Sequence, residues 1–320
     1  MTAANLPPSH NNNNSNNNCD TPSPPILVST LLFDIDDTLY DVGTGFTAHR
    51  NGWGAQNFMV EHLHFPSYEV AKQLRDEYFA RYHSTAKALT IAEQEGKFPP
   101  LPPGAKLSSS QSHTKRFDPR DLAEWWAHKL DFSLLRAANN SKTSQEEEDE
   151  YNKLRQILST CPLQLIAFSN SPRKYALRVL KELKLDTYFP PEKVFAVDDT
   201  LPYCKPETEA FQKVLDAIGV KDPSQCVLIE DSMKNIRVAK SLGMKTVLVV
   251  GRGRLRPNHG DESAQSVEAA EAAELTKPGD APNVADSAVD ICIEHCGELK
   301  DVLPDLWEVP PKFISKPDLN

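Results

Sequence analysis

The residues best suited to chemistry are three aspartates that follow apolar runs of the sequence. Asp34 and Asp36 come after a run that begins at Ser29, and Asp231, preceded by Glu230, ends another run. Carboxylates serve as nucleophiles, as general acids or bases, and as ligands of hard dications. Asp36 can curl back over Asp34 as the chain leaves its strand, and Asp231 completes an oxygen-rich pocket. The pattern predicts a Mg²⁺ site formed by Asp34, Asp36 and Asp231.

A serine, an asparagine and a lysine supply groups that would hold an anion beside these carboxylates. Ser169 and Asn170 end a further apolar run, and Lys205 follows another run through a loop. We expect free backbone amides at the start of the next helix, with Ser171 as its N-cap and Pro172 in its first position. The Lys205 ammonium offsets the carboxylate charge. A metal, an ammonium and an amide nest together indicate a phosphoryl group held for in-line attack.

Each of these polar groups follows a predicted strand. Short apolar runs alternate with helical patterns, which is typical of an α/β fold with a doubly wound parallel sheet. Ligands of such sheets bind outside the carboxyl ends of the strands, so the fold should gather these side chains at one edge. The strands are predicted at 29–34, 163–169, 193–199, 225–231, 245–251 and 289–295.

A helical block interrupts this alternation after the first strand, and a proline-rich surface loop, 96–116, lies within it. We therefore expect a discontinuous catalytic core, residues 26–42 plus 159–307, with a helical domain, residues 43–158, inserted into it. The helices of the inserted block are predicted at 46–63, 68–83, 84–94, 118–130 and 147–160, and those of the core from 172 onward and at 206–219, 232–243 and 297–307.

Four further segments look accessory to this body. Residues 1–25 are rich in asparagine and predict a disordered tail, and residues 308–320 predict a second tail. Residues 137–150 end in an acidic run that suggests a solvated connector, and residues 252–286 suggest a mobile insertion. Residues 1–25, 146–150 and 261–290, which lie mostly in these segments, together carry a formal charge of −13, against −10 for the whole chain. The rest of the chain is slightly basic, which suits an anionic substrate.

Composition excludes several classes of protein. With 39% apolar residues the chain can build a core, and its longest apolar runs are far shorter than the roughly 20 residues of a membrane helix. Net acidity argues against binding to a nucleic-acid polymer. No lysine or arginine precedes Arg50, and the six cysteines are scattered, so we expect free thiols in a cytoplasmic protein, with the nucleus equally compatible. The oligomeric state stays open.

These motifs, in this order, resemble those of the haloacid dehalogenase (HAD) superfamily of phosphohydrolases. DIDDT (34–38) is similar to the first motif, Ser169 to the second, Lys205 to the third, and Glu230 with Asp231 to the fourth. The inserted helical domain resembles the helical cap of that superfamily. The resemblance covers about residues 26–251 and the returning strand near residue 290.

Three longer stretches resemble the pyrimidine 5'-nucleotidase-like branch of the superfamily. They are FDIDDTLY (33–40), FSNSP (168–172) and IEDSMKNIRVAKSLGMKTVLV (229–249). This narrower resemblance implies a Mg²⁺-dependent phosphomonoesterase that acts on a nucleoside 5'-monophosphate.

The resemblance also implies a role for each catalytic residue. Asp34 would attack phosphorus and form an aspartyl-phosphate, and Asp36 would protonate the leaving alcohol and then deprotonate water. Thr38 and Ser169 would position the phosphoryl oxygens. We also expect Asn170 to bind the substrate. Lys205 would orient the nucleophile and neutralise charge.

Metal binding is implied at the same place. Asp34, Asp231 and the backbone carbonyl of Asp36 would hold Mg²⁺, while Glu230 would support these ligands from outside.

Other functions remain compatible with the sequence. A sugar-phosphate phosphatase, a phosphomutase or a lysophosphatidate phosphatase could use the same scaffold, and a binding or regulatory protein could retain the fold without activity. Thr44, His49 and Arg50 are candidates to contact the leaving group, although an ordinary helix start would explain them equally well.

Overall fold

The protein is described by a computed structural model that covers residues 27–108, 110–112, 115–136, 142–252, 280 and 282–308. The first predicted tail, most of the second, and most of the predicted insertion at 252–286 lie outside the described residues.

A single six-stranded parallel sheet forms the centre of the described structure. The spatial order of the strands is β3-β2-β1-β4-β5-β6, so β1 lies at the middle, between β2 and β4. This arrangement confirms the predicted α/β fold. The strands are β1 (Thr30–Phe33), β2 (Gln164–Phe168), β3 (Val194–Phe195), β4 (Cys226–Glu230), β5 (Lys245–Val249) and β6 (Ile291–Ile293).

Helices occupy both faces of this sheet and the long segment between β1 and β2. Between β1 and β2 lie α1 (Phe46–His49), α2 (Ala55–Asn57), α3 (Tyr68–Tyr82), α4 (Thr85–Gln94), α5 (Pro119–Lys129) and α6 (Lys142–Thr160), with π-helical segments Arg50–Gly54 and Phe58–His62. After β2 come α7 (Arg173–Glu182), α8 (Val197–Thr200), α9 (Thr208–Ala217), α10 (Met233–Ser241) and α11 (Leu299–Val302). Short 3₁₀ segments lie at Val42–Thr44, Phe132–Leu135, Pro191–Lys193, Pro223–Gln225, Cys296–Glu298 and Pro304–Trp307.

The central strand is buried on both faces because its side chains alternate between two cores. Leu31 and Phe33 pack into the core that includes α6 and α7, whereas Leu32 packs into the core that includes α9 and α10. All three side chains are at most 1% exposed. Continuous apolar strands are expected where helices cover both sides of a parallel sheet, which is why the run at 29–33 lacks alternation.

The third strand is shorter than the sequence predicted. It pairs with β2 only through Val194 and Phe195, and the chain then enters α8 instead of continuing to residue 199. The reason is local capping, because the Asp199 carboxylate accepts a hydrogen bond from the Ala196 amide at 2.8 Å. An acidic residue in the first turn also suits the helix dipole.

The predicted connector at 137–150 is wrong at residues 142–146, where the helix predicted at 147–160 already begins. Helix α6 begins at Lys142, so the acidic run at 146–150 is helical. Arginines neutralise part of it: Arg155 pairs with Glu148 at 2.7 Å and Arg252 pairs with Glu150 at 2.6 Å.

Within the described residues, no helix is both long and apolar enough to cross a membrane.

Candidate active site

The carboxyl edge of the sheet brings the predicted site residues together. Asp34 directly follows β1, Ser169 follows β2, and Asp231 follows β4. Because β1 lies between β2 and β4, these positions share one edge. Lys205 reaches the same edge from the loop between α8 and α9, as the sequence predicted.

The Lys205 ammonium is the centre of the site. It is 1% exposed and uses all three N–H donors, on Asp34 Oδ1 at 2.6 Å, on Glu230 Oε2 at 2.7 Å and on the Phe168 carbonyl at 2.8 Å. Burial alone would lower the pKa of Lys205, but the charges of Asp34 and Glu230 raise it above its ordinary value. The lysine is therefore a fixed cation that holds Asp34 in one orientation.

Three carboxylates beside this lysine are suited to a divalent cation. Ligand oxygens of Asp34, Glu230 and Asp231 all lie within 4.8 Å of one another. Burial and the charge of Glu230 raise the pKa of Asp34 to about 8 and the pKa of Asp231 well above its usual range. Carboxylates that resist ionisation together are stabilised by a cation among them, and an all-oxygen donor set matches Mg²⁺. The residues present fit that ion, and Glu230, expected to act from outside, lies within the cluster.

Thr38 lies against the same cluster. Its hydroxyl, in a side chain that is almost fully buried, donates to Asp231 Oδ1 at 3.4 Å. Its predicted contact with phosphoryl oxygens stays a prediction.

Asp36 points to a separate set of donors. Its carboxylate pairs with Arg50 Nη1 at 2.5 Å and accepts hydrogen bonds from Ser171 Oγ at 2.6 Å, Tyr175 OH at 2.7 Å and Tyr40 OH at 2.8 Å. Burial would raise the pKa of this carboxyl, but the Arg50 charge and these hydrogen bonds hold it below its ordinary value. The side chain is thus kept ionised, and any ligand that Asp36 gives a metal here would be its backbone carbonyl.

Ser169 and Asn170 are held by internal contacts. Ser169 Oγ accepts from the Ser171 amide at 3.0 Å. The Asn170 side chain binds the backbone of Lys205 at both ends, accepting from its N–H at 2.8 Å and donating to its carbonyl at 2.7 Å. Asn170 therefore positions Lys205, while its predicted contact with substrate stays a prediction.

The start of α7 differs from the sequence prediction. Pro172 is the N-cap, and Ser171 turns its hydroxyl to Asp36 instead of capping the helix. The Arg173 amide, expected to be free for an anion, donates to Asp198 Oδ2 at 2.6 Å. Backbone amides at this helix start are thus partly used by the protein itself.

Of the three leaving-group candidates, only Arg50 contacts a carboxylate predicted to be catalytic, that of Asp36. Thr44 Oγ1 accepts from the Phe46 amide at 3.3 Å and serves the start of α1. His49 stacks on Trp53 and accepts from the Asp131 amide at 3.2 Å.

Tyr40, Ser171 and Tyr175 are site residues that the sequence reasoning missed. Ser171 and Tyr175 are one helical turn apart and so share a face, which is a weak signal in the sequence. Nothing in the sequence places that face against Asp36, because the contact joins segments more than 130 residues apart.

A family model described as haloacid dehalogenase-like hydrolase matches residues 28–243, well over half of the chain.

Two curated proteins are similar over a shorter stretch. The phosphorylated carbohydrates phosphatase of Thermotoga maritima is 31% identical over 85 residues, 27% of this chain and 38% of that protein. Phosphoglycolate phosphatase 1 of Pseudomonas aeruginosa is 28% identical over 96 residues, 30% of this chain and 34% of that protein. The chain therefore spans little more than a third of the length of these relatives.

Solved structures are similar over most of the chain. The 2-haloacid dehalogenase of Pseudomonas syringae has a TM-score of 0.47 at 17% identity, covering 87% of this chain and 99% of that one. The HAD phosphatase of Thermococcus onnurineus has a TM-score of 0.45 at 19% identity, covering 86% and 98%.

Proposed function

This chain belongs to the haloacid dehalogenase-like hydrolase family, and from that membership we propose that it is a Mg²⁺-dependent phosphomonoesterase acting on a small phosphate. The observation that carries the proposal is the Lys205 ammonium, buried between Asp34 and Glu230 at the carboxyl edge of the sheet. It fixes a carboxylate nucleophile beside a cluster suited to a metal. Two curated relatives are named as phosphatases, which supports the same reaction class.

The first chemical step is nucleophilic attack by Asp34. Lys205 donates to Asp34 Oδ1, which leaves the other carboxylate oxygen to attack phosphorus and form the aspartyl-phosphate. Thr38 and Ser169 bring hydroxyl donors to the phosphoryl oxygens. Bound Mg²⁺, held by Asp34, Asp231 and Glu230, would neutralise the carboxylates and polarise the phosphoryl group.

Asp36 serves as the acid and then the base. The described contacts with Arg50 and three hydroxyls favour its ionised form, which suits the removal of a proton from water in the second step. Its first role, protonation of the leaving alcohol, requires that Asp36 gain a proton as substrate binds.

Helices α1 to α5 are proposed to form a cap over the core. The predicted bounds, residues 43–158 for the cap and 26–42 plus 159–307 for the core, put most of α6 in the cap. We assign α6 to the core instead, because it packs with Leu31 of β1 and its Ile157 carbonyl accepts a hydrogen bond from the Trp307 indole at 2.8 Å.

Contacts of the described residues support this arrangement of cap and core. Ser84 Oγ, at the start of α4, donates to the Asn170 carbonyl at 2.9 Å, and Cys204 Sγ contacts the Tyr82 carbonyl at 3.0 Å. The end of α3 and the start of α4 thus touch the two loops that carry Asn170 and Lys205.

Two kinds of substrate are compatible with this site. A nucleoside 5'-monophosphate is implied by the resemblance of FDIDDTLY (33–40) to pyrimidine 5'-nucleotidases. A phosphorylated sugar or small acid is suggested by the names of the two curated relatives. A phosphomutase would use the same first step and differ only in excluding water from the aspartyl-phosphate.

The test is a phosphatase screen with and without Mg²⁺ on the full chain. It spans UMP, CMP, purine monophosphates, sugar phosphates and lysophosphatidate, and it is repeated with Asp34→Asn. Activity that requires Mg²⁺ and disappears in the variant is expected. A flat, feeble profile unaffected by Asp34→Asn would contradict the proposal and favour a binding protein.

A further inference from the structure

A buried arginine of the helical block has no assigned role. Arg75 lies on the buried stripe of α3 with Ala71 and Tyr78, and its side chain is 7% exposed. Its Nη1 pairs with Asp76 at 2.9 Å, and its guanidinium lies 3.9 Å from the ring centroid of Phe79. These contacts hold the guanidinium in place but use only one of its nitrogen atoms.

The other two nitrogens of Arg75 are unsatisfied. Nε and Nη2 are buried and have no hydrogen-bond partner among the residues that the structure describes. Buried N–H donors are nearly always paired, because losing water without gaining an acceptor is unfavourable. Two such donors on one guanidinium therefore mark a position that a ligand would complete.

Arg75 lies on the helix whose C-terminal end contacts the loop that carries Lys205. It is seven residues before Tyr82, about 10 Å along the helix, and the Tyr82 carbonyl contacts Cys204, the neighbour of Lys205. Helix α3 also packs against α2, which follows Arg50 by about one turn. The charge of Arg50, itself bound to Asp36, is close enough to lower the pKa of Arg75 further, beyond the larger effect of burial.

The free donors define the chemistry of the ligand. Nε–H and Nη2–H lie on the same edge of a guanidinium, and this fork matches two oxygens of one carboxylate or phosphate. An anion would satisfy this fork better than a neutral acceptor, because hydrogen bonds from a guanidinium to a charged oxygen are stronger than those to a neutral one. Asp76, the carboxylate paired with Arg75, is 42% exposed and is shared with Lys72.

We propose that Arg75 binds a second anionic group, a carboxylate or a phosphate, on the leaving group of the phosphomonoester substrate. This inference rests on the proposed function, and it favours a phosphorylated acid or a bisphosphate over a nucleoside 5'-monophosphate.

The experiment compares substrates that differ in that group alone. 3-Phosphoglycerate is paired with glycerol 3-phosphate, and fructose 1,6-bisphosphate with fructose 6-phosphate, so that the two pairs distinguish a carboxylate from a phosphate. CMP tests a neutral partner for Arg75, because the edge of its uncharged base also presents two adjacent hydrogen-bond acceptors. The variants are Arg75→Met, which keeps the stem on Phe79, and Arg75→Lys, which keeps the charge without the fork. Arg81→Met, on the exposed side of α3, is the matched control.

For one of the two pairs, the wild-type protein should favour the doubly anionic substrate by about 10- to 100-fold in kcat/KM, mostly through KM. Arg75→Met should abolish this preference and Arg75→Lys should weaken it, while hydrolysis of the singly anionic partner changes little. Arg81→Met should behave as wild type. A purely structural role would slow both members of a pair equally, and that result would overturn the inference, as would a preference for CMP that depends on Arg75.

A binding measurement separates this inference from the proposed reaction. Titration calorimetry with Asp34→Asn in Mg²⁺ should show tighter binding of the doubly anionic probe, and adding Arg75→Met should remove the difference. If no phosphate is hydrolysed by the wild type but this difference is found, the proposed reaction fails and the binding site stands. If phosphates are hydrolysed but Arg75→Met leaves both the kcat/KM ratio and the binding unchanged, only the binding site fails.

Discussion

Replacing Arg50 by methionine should expose the energetic value of its contact with Asp36. The two side chains are 8% and 12% exposed and their charged atoms are 2.5 Å apart, so solvent screens them little. Removing one partner of a buried ion pair costs about 3–5 kcal/mol, since the remaining charge stays buried. Three hydroxyl donors to Asp36 survive the substitution, which places the expected loss near the lower end, about 3 kcal/mol.

The assay is urea unfolding of four proteins followed by circular dichroism. They are the wild type, Arg50→Met, Asp36→Asn and the double variant, which together give the coupling energy of the pair. We expect a coupling of about 2–3 kcal/mol, because Asp36→Asn removes the charge that Arg50→Met leaves unpaired. Arg81→Met, which breaks an exposed pair with Glu77, should cost less than about 1 kcal/mol.

Additive effects of the two substitutions would refute this reasoning. An Arg50→Met protein whose free energy of unfolding is within about 1 kcal/mol of the wild type would also refute it, because a buried charge without its partner should destabilise the protein by more than that.

Three further predictions concern the acid-base group, the metal and the thiols. Asp36→Asn should slow turnover of the best substrate by about 10²–10⁴-fold, and unchanged turnover would remove Asp36 from its assigned role. Mg²⁺ that binds the folded state at a concentration 100 times Kd should add about 2.7 kcal/mol to the free energy of unfolding, and so raise the melting temperature. Asp231→Asn should abolish that rise, and an equal rise in the variant would place the ion elsewhere. Burial raises the pKa of Cys226 to about 12, so at pH 8 almost no thiolate is present and iodoacetamide should modify it only after unfolding. Rapid labelling of Cys226 in the native protein would contradict its burial.

Much of the fold could be predicted because its elements have strong local signals. The run before Asp34 is buried on both faces, and helices such as α9 and α10 end close to the glycines at 219 and 243. The third strand was predicted too long because the apolar residues at 194–197 read as one strand. The strand ends where the Ala196 amide donates a hydrogen bond to the Asp199 carboxylate, and this contact has no strong signature in the sequence.

Some residues of the candidate site could likewise be predicted from the sequence, and others could not. Asp34, Lys205 and Asp231 could be placed together because parallel strands deliver their carboxyl ends to one edge. The donors around Asp36 could not, since Arg50 and Tyr175 come from helices whose packing depends on the whole core. Arg75 gives no sequence signal either, because a charged residue in the middle of a helix is ordinarily exposed.

Trapping the covalent intermediate would identify the nucleophile directly. The protein is mixed with its best substrate in Mg²⁺, quenched in acid, reduced with borohydride and digested, and the modified residue is located by mass spectrometry. An aspartyl-phosphate that borohydride reduces is expected at Asp34, absent without substrate and absent in Asp34→Asn. Modification at another residue, or none during steady turnover, would contradict Asp34 as the nucleophile.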